Sequence, residues 1–131
     1  MSLFFAVLLM CQSICCQKSF SYPVIADVTR IDVVSKQKVI VKQIKDDAAI
    51  DSVIRFIDER RSRWCSPGSE ILPVSGTLNF YKSEQRQGTI EIGQGFFVAY
   101  LAERKYVLTL SIDEQQSFFK LLQLEEAALF K

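Results

Sequence analysis

Histidine is absent from this chain. With it go the commonest general acid–base, the commonest metal ligand and the base of ordinary Ser-His and Cys-His nucleophiles. Carboxylates, lysines, tyrosines and Cys65 are what chemistry has left, and no motif gathers them into a site. The chain therefore reads as a non-enzyme with no cofactor and no metal. An excess of either charge is also missing: 16 Lys and Arg stand against 15 Asp and Glu, a net charge of +1. A near-neutral chain lacks the electrostatic footprint of a nucleic-acid or anionic-membrane binder. No repeat or low-complexity tract occurs.

What is present is ordinary for a globular protein, 49% apolar and 24% charged residues in a chain of 131. The length implies one domain, of about 115 residues if residues 1–16 are removed. That is enough to bury about two thirds of the unfolded surface.

Residues 1–16, MSLFFAVLLMCQSICC, carry no charge and hold an apolar run from Leu3 to Met10. The run is too short for a spanning helix, which needs about 20 residues, and suits the core of a secretory signal. No Lys or Arg precedes it, and no Ala-x-Ala site follows. Ser13 and Cys15 are the small residues before a cut in front of Cys16. Such a cut would leave Cys16 terminal and open to lipidation, although Cys15 stands where a lipoprotein box has Gly or Ala. The alternative for Cys16 is a disulfide with Cys65 in an oxidising compartment, and the alternative for Cys65 is a buried or unpaired thiol.

The best-patterned stretch is Asp47 to Trp64. Ile50, Val53, Ile54 and Ile57 fall at i, i+3, i+4 and i+7, one apolar stripe of a helix. Asp46 or Asp47 caps its start, and Arg60, Arg61 and Arg63 crowd its last turn, where cations suit the helix dipole. Asp46, Asp47 and Asp51 read as capping and dipole residues, because the spacing and central Gly of a calcium loop are missing. Before the helix, Val24–Val34 and Val39–Ile44 are β-branched segments around a polar break, a hairpin. Lys36, Lys38, Lys42 and Lys45 read as solvated charges that keep its edge from pairing with other chains.

After the helix, Cys65 to Gly76 is irregular, with Pro67-Gly68 marking a turn and Pro73 excluding a central strand. Four short strand segments follow, Thr77–Lys82, Gly88–Ile92, Phe96–Ala102 and Tyr106–Leu110, and such close turn signals mean an antiparallel meander. Gly93-Gln94-Gly95 is a hairpin turn and not a phosphate loop, because it opens no helix. Ser111-x-x-Glu114 is a capping box opening a second helix, with Phe118, Phe119, Leu121 and Leu122 as its apolar face. The predicted fold is α+β: an antiparallel sheet of five or six strands, ordered ββ-α-ββββ-α, with the Asp47–Trp64 helix packed on one face. Residues 1–16 are its leader, 17–23 a linker and 24–131 the single domain.

Arg60, Arg61, Arg63 and Trp64 form the candidate protein interface, since arginine and tryptophan are enriched at the energetic centres of interfaces; the alternative is that Trp64 simply packs under the next loop. A second candidate surface arises if one sheet face lies uncovered. By period-2 counting it would show Tyr81, Phe97 and Tyr106. The functional expectation is a small exported, non-catalytic protein-binding module, such as a periplasmic inhibitor or immunity-type protein. Its partner is another protein in the cell envelope, not nucleic acid, and it meets the membrane only through a lipid on Cys16. The alternative is a small-molecule or lipid carrier with an aromatic cavity between sheet and helix. Export predicts that intact-mass measurement of the soluble and membrane fractions finds a product starting at or near Cys16. An uncut chain in the cytosol would remove the export argument.

Overall fold

In the computed structural model, which describes residues 19–130 apart from 21, 24, 67–71 and 102, the stripe around Ile50 becomes helix α1, Asp47–Asp58. The expected leader, with Cys16, lies outside the described residues. Asp46 caps α1 by accepting the Ala49 N–H at 3.0 Å. Its buried residues are Ile50, Val53, Phe56 and Ile57; Phe56 replaces the expected Ile54, which is only partly covered. The helix also stops short of Trp64. Continuing the stripe past Ile57 needs an apolar side chain near position 60 or 61, and both are Arg. Arg61–Arg63 instead form a 3-10 turn that leads into an extended Trp64.

The chain is α+β, with one antiparallel sheet and two α-helices among the described residues. Its strands are β1 (Ser19–Phe20), β2 (Arg30–Ser35), β3 (Ile40–Ile44), β4 (Trp64–Cys65), β5 (Val74–Lys82), β6 (Gln85–Gly93), β7 (Phe96–Leu101) and β8 (Arg104–Thr109), in sheet order β1-β4-β8-β7-β6-β5-β2-β3. The sheet is thus wider than the five or six strands expected. Two-residue strands β1 and β4, from segments read as linker and helix end, pair with each other through Ser19↔Cys65 and Phe20↔Trp64. At the other margin β3 is an edge strand, as its lysines suggested.

Helix α2, Ile112–Leu122, opens with the predicted box, in which Ser111 Oγ accepts the Glu114 N–H and Glu114 accepts the Ser111 N–H. Both helices pack on one face of the sheet. Ile31, Val33, Leu78, Phe80, Ile90 and Leu108 of that face are 0% exposed, in one cluster with the helices. Three rings join both helices to β7: Phe97 and Phe118 lie 4.8 Å apart between centroids, Phe56 and Phe118 5.0 Å.

Strand pairing is uneven. β5 and β6 pair along nearly their whole length, from Val74↔Gly93 to Lys82↔Gln85. Among the described residues β6 and β7 pair at Glu91↔Val98, Ile92↔Phe97 and Gly93↔Phe96, beside the glycine turn, and not beyond it. Gly95 has φ 90°, the positive value that the turn requires. Phe118→Ala should cost about 3–5 kcal/mol, because it opens a cavity under both helices. Ile112→Ala, at a residue 78% exposed, should stay within about 0.5 kcal/mol. Chemical denaturation midpoints of the two variants check the contrast.

Candidate functional site

The arginines of the candidate interface bind within the chain, with Arg63 still 46% exposed along its side chain. Glu114 is its focus. Arg63 grips this carboxylate with two nitrogens, Nη1 to Oε2 at 2.6 Å and Nη2 to Oε1 at 3.0 Å, and also donates to the Thr109 carbonyl at 2.9 Å. Arg60 donates from Nε to the same Oε2 at 2.8 Å and from Nη1 to the Phe56 carbonyl at 2.9 Å, with its guanidinium 3.7 Å from the Phe56 ring centroid. Arg61 donates to the Tyr22 carbonyl at 3.1 Å and returns its own carbonyl to the Tyr22 N–H at 2.9 Å.

Trp64, read either as an interface residue or as packed under the next loop, is 0% exposed and anchors no surface. Its indole stacks on the Tyr22 ring, 4.8 Å between centroids. Burial pushes the Tyr22 phenol up to about 12. The correction has a physical basis: a large apolar side chain next to a core helix gains more from enclosure than from display. Cys65 is disulfide-bonded, not a free thiol; the chain's other cysteines, Cys11, Cys15 and Cys16, lie outside the described residues. The segment Arg60–Cys65 therefore binds the N-terminal stretch, strand β8 and the start of α2 to one another.

Among the described residues, no helix packs on the sheet face opposite α1 and α2. Phe97 and Tyr106, expected there, are buried against the helices instead. One patch of this outer face, Phe96, Val98 and Val107, is packed by Leu72 and Val74. Beyond that patch, polar cross-strand pairs take over. Gln43 Nε2 and Arg30 Nε reach Asp32 Oδ1 at 3.2 and 3.1 Å, and Thr89 Oγ1 donates to Asn79 Oδ1 at 2.9 Å. The Arg30 guanidinium lies over Tyr81, 4.1 Å from the ring centroid.

Where β6 and β7 part, a cleft of about 270 Å³ opens, lined by residues including Tyr22, Ile25, Gln87, Thr89, Tyr100 and Leu101. Tyr100 stands at its rim, 59% exposed; desolvation, then the Glu91 charge, raises its phenol above the ordinary value. Sequence reading missed Tyr22 and Arg30 as surface-shaping residues. A positive charge two residues before Asp32 on alternating β positions was the one available signal. Among the described residues no three His, Cys, Asp or Glu side chains are grouped as a metal site would need, and no helix is long and apolar enough to cross a membrane.

The Arg63 hydrogen bond, with the Ser111 N–H, the Arg60 bond and the Arg63 charge adding to it, holds the Glu114 carboxyl well below the usual carboxylate range. A depressed folded value means that its stabilisation is complete above the unfolded value, about 4.3, and is lost as pH falls below it toward the folded value. Glu114→Gln should destabilise by about 1–3 kcal/mol at pH 7. The gap to the parent should narrow as pH drops from about 5 to about 2, as measured by denaturation across that range. No family model, curated protein or solved structure matches this chain, so the surface just described is what a functional reading stands on.

Proposed function

We propose that this is a small exported, non-catalytic protein-binding module, of periplasmic-inhibitor or immunity type, released from or anchored through its leader and working outside the cytoplasm. Its contact surface is the outer sheet face and the β6–β7 cleft, with Arg30, Tyr81 and Tyr100 as the anchoring side chains. One observation carries the reading. Among the described residues, a sheet face with no helix packed on it presents tyrosine and arginine beside a cleft whose flanking strands leave each other's ladder. Tyrosine and arginine are enriched where interfaces gain most of their energy. The missing histidine points the same way.

The carrier reading has less to support it. Phe56, Phe97 and Phe118 meet at contact distance where an aromatic cavity between sheet and helices would have to lie. A native mass spectrum of the purified protein should show the bare polypeptide mass. Retained small molecules would favour the carrier. A photo-crosslinking side chain at position 100 should give a discrete protein adduct in the producing cells, and one at exposed Lys120 on the helix side should not. Equal labelling from both positions, or none from 100, would remove the placement.

A further inference from the structure

We propose that the free edge of β3 is a strand-addition site for an extended acidic segment of a partner protein. Among the described residues β3 ends the sheet, and no strand there pairs with its outward backbone N–H and C=O groups. Alongside it runs a groove of about 330 Å³ that includes the apolar side chains of Ile44, Ala49, Leu121 and Leu122, with Lys42 and Lys45 at its rim. Asp46 also lines this groove, and one of its carboxylate oxygens is taken up in capping α1. At the other end of the strand Val39 and Ile40 are 57% and 50% exposed.

Four lysines surround this edge, Lys36, Lys38, Lys42 and Lys45, and none reaches a carboxylate among the described residues. Two such edges would set lysine against lysine, so a second copy is a poor occupant. The same charges attract a strand whose alternate residues are Asp or Glu and whose remaining side chains are aliphatic. Such a strand pairs with the backbone, places one side chain over the groove and brings carboxylates to the lysines. A nucleic-acid strand supplies the negative charge but offers no row of backbone N–H donors for the carbonyls of β3, and the apolar groove gives it nothing. This site lies apart from the outer sheet face and stands or fails without it.

The test uses the full chain, labelled for backbone amide spectroscopy and hydrogen exchange. The probe is a synthetic peptide alternating glutamate with valine, and its controls are the lysine–valine counterpart and single-stranded DNA. The acidic peptide should slow exchange within Ile40–Ile44 and bind more weakly as ionic strength rises. Lys42→Glu with Lys45→Glu should weaken it at least about tenfold, and the milder Lys42→Gln with Lys45→Gln should give an intermediate loss with core amide shifts unchanged. Perturbation away from β3, indifference to charge reversal, equal binding of the lysine peptide or DNA, or self-association that protects the same amides would each overturn the proposal.

Discussion

Glu114 fixes the relative position of parts of the chain that the core otherwise joins only through apolar packing. It belongs to the first turn of α2, where it closes the capping box, yet its oxygens are gripped by arginines from the far end of α1. One carboxylate thereby sets the start of one helix, the exit from another and, through Arg63 and the Thr109 carbonyl, the end of β8. Charge-assisted bonds with bidentate geometry have the directionality that apolar packing lacks. The ring cluster of Phe56, Phe97 and Phe118 supplies the bulk attraction between the helices and the sheet. The clamp chooses among the ways those rings could slide.

Because both helices lie on the same side, the fold is asymmetric in what it offers. The inner face is consumed by packing, and the outer face remains rigid, hydrogen-bonded and polar, with aromatic side chains at intervals. That combination suits recognition of another macromolecule better than enclosure of a small one. A flat surface provides area and hydrogen bonds, whereas a carrier needs volume withdrawn from solvent. The two tyrosines that stay outside, Tyr81 and Tyr100, owe their position to strand alternation, the same rule that sends Phe80 and Phe97 inward.

Local patterns were legible in the sequence wherever one segment contained the whole cause. The capping box, the α1 stripe, the glycine turn after β6 and the lysine-guarded hairpin are all of this kind. What could not be read depended on partners far along the chain. Arg60 and Arg63 resemble an exposed cationic cluster until Glu114, more than 50 positions later, is brought beside them. Trp64 resembles an interface anchor until Tyr22 stacks on it, from a stretch whose Ser and Pro made it look like a linker. Strands β1 and β4 have no periodicity at two residues each, so only tertiary pairing reveals them. The uncovered face followed from a single undecided question, namely whether the helices share a side.

The parting of β6 from β7 has a mechanical meaning. Among the described residues three pairs join the two halves of the sheet, so beyond them the halves are two plates meeting at a seam. Backbone bonds do not set their spacing there; the shared core beneath does, through the volumes of side chains that straddle the line. The width of the cleft is therefore a packing quantity, tuned by methyl groups at a distance from its mouth. Changes at buried positions can thus reshape the cleft while every residue on the visible surface stays the same.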